Sequence, residues 1–154
     1  MTDLQETILL FRESLSLCPT SHPYYSELLC SLAVALRRRA HFETTRLTTD
    51  LEEAILLHRE SLSFRPTPHP NRYISLNGLA YVLRDHFKTT GSMTDLEEAV
   101  SMLREALSLS PAVSRLSALR NLAHILETRF KENGSQSDLE EAASLRWEIL
   151  AMSI

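Results

Sequence analysis

The chain is poor in the residues that interrupt helices or build disulfide frameworks. Three glycines and six prolines occur among its 154 residues, roughly half of their usual combined share. Few turn-forming residues and an aromatic content of 6% favour long helices over many short strands. Its two cysteines, Cys18 and Cys30, are too few for a disulfide framework and fit a reducing compartment. We therefore expect an all-α protein in the cytoplasm.

The chain also has neither an excess of basic residues nor a long apolar run. Sixteen basic and twenty acidic residues give a net charge of −4, whereas nucleic-acid binders usually carry a basic stripe. No apolar run approaches the ~18 residues that a membrane-spanning helix needs. The start, with Asp3 and Glu6, does not have the pattern of a signal peptide. We expect neither a nucleic-acid partner nor a membrane partner.

Two short phrases recur along the chain in a fixed order. An acidic phrase, typified by Asp-Leu-Glu-Glu-Ala, begins at residues 3, 50, 95 and 138. A second phrase, Leu-x-x-Leu-Ala, begins at residues 29, 76 and 119. Prolines follow the first three acidic phrases at Pro19, Pro66 and Pro111. Because matched landmarks at a period of 20 to 50 residues are typical of repeat proteins, the chain is predicted to be a repeat array.

Each phrase predicts a helix with one apolar stripe, since its apolar residues step by three or four. We name the Leu-x-x-Leu-Ala helix A and the acidic one helix B. Asp followed by Glu three residues later, as in Asp50 and Glu53, is interpreted as a capping box at the start of helix B. Seven helices are predicted, near residues 3–17, 24–41, 50–64, 71–87, 95–109, 112–131 and 138–152.

The order of the helices, B-A-B-A-B-A-B, predicts a right-handed α-solenoid of antiparallel hairpins. The predicted domain is one array: an unpartnered B helix (1–20), repeat 1 (21–66), repeat 2 (67–111) and an atypical repeat 3 (112–154). Repeat 1 has two extra residues, which lie either between Ala33 and Phe42 or before that segment. The dipeptides His41-Phe42 and His86-Phe87 are interpreted as equivalent positions of successive repeats.

Residues 76–111 resemble a tetratricopeptide repeat. The signature positions of helix A and helix B are matched by Leu76, Leu79, Ala80, Leu83, Ala99, Leu103, Ala106 and Pro111. The long period is similar to kinesin-light-chain-type repeats and to the arrays of mushroom-forming fungi, which often precede a caspase-like domain of the CHAT type. The resemblance implies a non-enzymatic scaffold that binds a protein or peptide on the concave face of its A helices.

The same resemblance implies where a ligand binds. The positions that face the groove in the family are occupied here by Cys30, Val34, Arg37, Asn77, Tyr81, Arg84, Arg120, His124 and Glu127. From these, the candidate peptide-binding residues are Arg37, Asn77, Tyr81, Arg84, Arg120 and His124. Three arginines among them predict a basic track, and since arginine binds carboxylates in a bidentate manner, an acidic peptide is the expected ligand. The alternative is that these are ordinary solvated helix residues.

The remaining residues predict no chemistry. His58 lies on an apolar stripe and is interpreted as a core histidine, and neither cysteine has a histidine at helical spacing. We assign no catalytic, cofactor-binding or metal-binding residue, and we expect no cofactor and no enzymatic activity. The alternative function is assembly within a larger receptor- or CHAT-type protein. The first helix has no helix A before it, and its uncovered stripe predicts self-association.

Overall fold

The computed structural model describes residues 2–154 and confirms an all-helical repeat fold with consecutive helices packed together. Residue 1, at which the predicted array begins, lies outside the described part of the chain. Residues 2–154 form seven α-helices and no β-strand: α1 (Thr2–Leu17), α2 (Tyr25–Phe42), α3 (Leu47–Ser63), α4 (Arg72–Thr90), α5 (Met93–Leu109), α6 (Ala112–Asn133) and α7 (Gln136–Met152). Helices α2, α4 and α6 are the A helices, and α1, α3, α5 and α7 are the B helices.

One apolar core runs through the stack. Each helix packs on the next one along the chain, and the neighbouring A helices, α2 with α4 and α4 with α6, also touch. The alanine of the Leu-x-x-Leu-Ala phrase is fully buried in every repeat, at Ala33, Ala80 and Ala123. A side chain this small lets the helices approach closely, and the leucines beside it fill the interior.

The B helices begin earlier than the sequence predicts. Helices α3, α5 and α7 start at Leu47, Met93 and Gln136, so the aspartate of each acidic phrase lies inside the first turn and does not cap the helix. The predicted capping boxes are therefore wrong. Each aspartate instead pairs with an arginine or a histidine of the preceding A helix. The bonds join Arg39 Nε to Asp50 Oδ2 (2.8 Å), His86 Nδ1 to Asp95 Oδ2 (2.6 Å) and Arg129 Nε to Asp138 Oδ2 (2.6 Å).

The glutamates of the acidic phrase also have partners on another helix. They accept hydrogen bonds from arginines of the preceding B helix, in the pairs Arg12–Glu53 (2.6 Å), Arg59–Glu98 (2.8 Å) and Arg104–Glu141 (2.6 Å). These pairs form a ladder along the B helices. Each rung is solvent-accessible and contributes little by itself. In α7 the arginine position holds Trp147, which is 73% exposed, so α7 offers no further rung.

The structure shows where in repeat 1 the two extra residues lie. Arg39 and His86 are equivalent, since each binds the aspartate of the following B helix. The extra residues therefore follow Arg39, where a short 3-10 turn at residues 44–46 joins α2 to α3. Phe42 is 70% exposed, whereas Phe87 is 8% exposed. The interpretation of His41-Phe42 and His86-Phe87 as equivalent is wrong.

His58 is confirmed as a core residue. Its side chain is buried between α3 and α4, and neither ring nitrogen has a hydrogen-bond partner within the described residues. Burial, with a smaller contribution from the charges of Arg37 and Arg65, lowers the pKa of His58 to about 4. Gly78 gives the ring its room, because a Cβ there would lie 2.3 Å from Cε1 of His58.

We expect the substitution His58→Leu to remove a pH-dependent loss of stability. The unfolded histidine takes up a proton near its ordinary pKa of 6.5, whereas the folded one does so only near 4. Stability that is present above pH 6.5 is therefore lost as the pH falls toward 4, by about 2 to 3 kcal/mol at pH 4.5. Urea unfolding of both proteins at pH 7 and pH 4.5 measures the difference. If the unfolding free energies of the wild type and of His58→Leu changed by the same amount between the two pH values, this would contradict the burial of a neutral His58 ring.

Candidate functional site

Three successive A helices contribute to one polar surface. We define the helix-A face as Arg37 of α2, Asn77, Tyr81 and Arg84 of α4, and Ser117, Arg120 and His124 of α6. Helices α4 and α6 each supply residues of this face at a spacing of three or four, so that they share one side of the helix. All six predicted peptide-binding residues belong to the face, but only some of them contact each other.

Tyr81 is the centre of the helix-A face. The guanidinium carbons of Arg37 and Arg84 each lie 5.2 Å from the centre of its ring, within the range of a cation–π interaction. The Tyr81 hydroxyl lies 2.8 Å from Oγ of Ser117. Arg37, Tyr81 and Arg84 are thus brought together, and the aromatic ring is held rigidly between two charged groups.

The predicted basic track requires a correction, because Asp85 binds two of its arginines. Nε of Arg37 donates a 2.6 Å hydrogen bond to Oδ2 of Asp85, and Nη2 of Arg84 lies 3.6 Å from Oδ1. Nε2 of His41 is 3.0 Å from the same Oδ2. Asp85 is only 5% exposed, and a buried carboxylate requires such partners. Two guanidinium groups and one carboxylate still leave a net positive charge.

Sequence reasoning missed Asp85, although it directly follows Arg84. The dipeptide shows two opposite charges on one helix but does not show that Asp85 faces α2. Asn121, also missed, is 3% exposed and accepts a 3.0 Å hydrogen bond from Nη1 of Arg84 through its Oδ1. These two buried residues hold the Arg84 guanidinium, Asn121 through a hydrogen bond and Asp85 through its charge.

The other predicted residues lie apart from this cluster. Arg120 and His124 are exposed on α6, and the Arg120 side chain makes no hydrogen bond to the described part of the chain. Partial burial lowers the pKa of His124, and the charges of Arg84 and Lys88 lower it further, so its ring is neutral near pH 7. Oδ1 of Asn77 is closed to solvent and has no partner within residues 2–154. Asn77 therefore does not present this acceptor at the surface.

The helix-A face borders a groove at its α1 end. This N-terminal groove has a volume of about 870 Å³ and lies between α1 and α2, beside the start of α4. Val34 and Cys30, two of the family-derived positions, line it. Cys30 is nevertheless 8% exposed, with its Sγ 3.1 Å from Oγ of Ser61. Glu127 turns toward α7, where Arg146 donates bonds of 2.9 and 3.0 Å to its carboxylate.

Comparison with known families agrees with this geometry. The sequence profile of the tetratricopeptide repeat matches residues 74–111, which span α4 and α5. The match supports a tetratricopeptide-like repeat protein. No curated protein and no solved structure gives a significant match. The similarity to kinesin-light-chain-type and fungal arrays stays a prediction.

No group of three or more His, Cys, Asp or Glu side chains in residues 2–154 is arranged to hold a metal ion. In the part of the chain that the structure describes, every helix is too short or too polar to cross a membrane.

We expect Asp85→Asn to destabilise the protein by about 2 kcal/mol or more, because it leaves the cations of Arg37 and Arg84 without their carboxylate. The matched control is Glu53→Gln, which removes the exposed partner of Arg12 and is expected to cost less than about 1 kcal/mol. Urea unfolding at pH 7 measures both variants. Equal losses would show that Asp85 does not hold the cluster together.

Proposed function

We propose that this protein is a non-enzymatic scaffold that binds a peptide or a partner protein, in the cytoplasm, on the helix-A face. The observation that carries the proposal is the contact of the Tyr81 ring with Arg37 and Arg84, together with the exposed Arg120 on the neighbouring helix α6. Tyrosine and arginine are the residues that contribute most often to binding energy at protein interfaces. The tetratricopeptide match supports the same function, since such repeats are typically protein-interaction modules.

The charges of the face favour an acidic ligand. Arg37 and Arg84 are engaged by Asp85, so their role is to position Tyr81 and to keep the local charge positive. Arg120 makes no hydrogen bond within the described residues and is free to bind a ligand carboxylate with two parallel N–H donors. A peptide with an acidic side chain or a free C-terminus would bind Arg120, while its apolar part covers the Tyr81 ring.

Reversing the charge of Arg120 tests this function. We expect Arg120→Glu to weaken the binding of acidic peptides, selected on the wild-type protein from a display library, by about tenfold or more. Arg84 is unsuitable for this purpose, because a glutamate there would lie against Asp85. Fluorescence anisotropy measures the dissociation constants.

The control for this test is Arg46→Glu, which makes the same charge change in the turn between α2 and α3, at a side chain that is exposed. It should leave the dissociation constants unchanged. If both variants bind acidic peptides as the wild type does, the helix-A face is not the binding site.

A second candidate function is assembly within a larger tetratricopeptide-containing protein of the receptor or CHAT type. The supporting observation is that both terminal helices expose large apolar side chains. These are Leu10 (62% exposed), Trp147 (73%) and Leu150 (56%). Self-association would bury them. Analytical ultracentrifugation should then show a mass that rises with concentration and falls again in Trp147→Glu. A monomer of constant mass up to millimolar concentration would contradict assembly through these helices.

A further inference from the structure

The N-terminal groove is apolar at its base and charged at its edges. Its apolar lining comes from Leu4 and Phe11 of α1, Val34, Ala35 and Phe42 of α2, and Ile74 of α4. Asp3, at the start of α1, and Arg38, in the last turns of α2, both line the groove. The antiparallel contact is fixed there by Arg39, whose Nη1 donates a 2.7 Å bond to Oε1 of Gln5.

Comparison of α1 with α3 shows what kind of element the groove fits. Both helices carry the acidic phrase, and α3 is enclosed by α2, its own hairpin partner, and by α4. Helix α1 packs on α2 in the same way as α3 packs on α4. On its other side, α3 has its hairpin partner α2, whereas α1 has the open groove at the corresponding place. The groove is lined from α1 by Asp3, Leu4, Thr7 and Phe11, which correspond to Asp50, Leu51, Ala54 and His58. The α3 residues of this set are at most 3% exposed, whereas none of those from α1 is buried.

Asp3 is the fourth copy of an aspartate that elsewhere pairs with an arginine or a histidine. In each hairpin, this aspartate accepts a hydrogen bond from the same position of helix A, as Asp50 does from Arg39. Asp3 is exposed, and its carboxylate accepts no hydrogen bond from the described part of the chain. A helix lying in the groove in the manner of α2 would bring a cation to Asp3.

Arg38 imposes the complementary requirement. Its position in α2 is that of Asp85 in α4, one residue after the equivalent pair Arg37 and Arg84. Asp85 faces the preceding A helix and binds Arg37 there. Arg38 occupies the corresponding position toward the groove, is exposed, and makes no hydrogen bond within residues 2–154. A helix in the groove would therefore need a carboxylate where α2 has Arg37, two residues before its cation.

We propose that the N-terminal groove binds an amphipathic helix of a partner protein, with an apolar stripe against α1 and α2, an acidic residue against Arg38 and a basic residue against Asp3. The sequence of this helix should contain the dipeptide Leu-Ala. An acidic residue should occupy the fourth position after the alanine, and a basic residue the sixth. This site is separate from the Tyr81 cluster, so it stands whether or not the helix-A face binds acidic peptides.

The chain itself provides both a matching probe and a mismatched one. In α6, Glu127 and Arg129 follow Ala123 at these two positions, whereas α2 has Arg37 at the first of them. A synthetic peptide of residues 112–133 therefore fits both charges of the groove. The same peptide with Glu127→Arg places a cation against Arg38 and is the control of equal length and apolarity.

The test is a charge exchange between peptide and protein, followed by fluorescence anisotropy of the labelled peptide. We expect the full-length chain to bind the 112–133 peptide about tenfold more tightly than its Glu127→Arg form, because like charges in contact oppose binding. In Arg38→Glu, the preference should reverse in favour of the Glu127→Arg peptide. Arg38 is exposed, so circular dichroism should show an unchanged fold for this variant.

A second charge exchange tests the role of Asp3. The variant Asp3→Lys is expected to bind a 112–133 peptide that carries Arg129→Glu more tightly than the unmodified peptide. Peptide binding that is insensitive to Arg38→Glu and Asp3→Lys would overturn the proposal, since the peptide would then bind elsewhere, for example in place of α6. A groove already filled by a second copy would overturn it as well. That case would appear as a dimer that Arg38→Glu dissociates in the absence of peptide.

Discussion

The fold depends on the fact that no helix of this chain buries its apolar stripe without a neighbour. Leu79, Ala80 and Leu83 in α4 are at most 1% exposed because α3 and α5 cover them from two sides. In such an array, stability is a sum of contributions from each helix and from its contacts with the next. The polar pairs act on top of this burial. Asp50, Asp95 and Asp138 each pair with the side chain at the same position of the preceding A helix, so the pairs fix the register of every hairpin.

The sequence predicts the order and number of the helices because the repeated phrases encode the same burial pattern in each copy. It does not predict where the B helices begin. Asp50 followed by Glu53 matches a capping box, yet both side chains bind arginines of other helices, and this pairing exists only after the helices pack. The same limit applies to the site. Arg37, Tyr81 and Arg84 are correctly placed on one face, but their neutralisation by Asp85 depends on the contact between α2 and α4.

The two candidate surfaces differ in physical character. The helix-A face is a rigid polar surface in which Asp85 and Asn121 hold the arginines before any ligand arrives, which lowers the entropic cost of binding. The N-terminal groove is a largely apolar surface with the charges of Asp3 and Arg38 on its lining. We propose the first for an acidic peptide and the second for a helix.

Helix α1 lies at an open end of the stack, whereas α4 lies at its centre. Native-state hydrogen exchange measures how this difference in position affects the stability of each helix. Backbone amides of α1 should exchange through local opening at a free energy several kcal/mol below that of α4, because α1 lacks a helix on one side. The groove-binding peptide should then slow exchange in α1 more than in α4. Equal protection of α1 and α4 in the free protein would contradict the account, since it would mean that the groove leaves α1 no less enclosed than an internal helix.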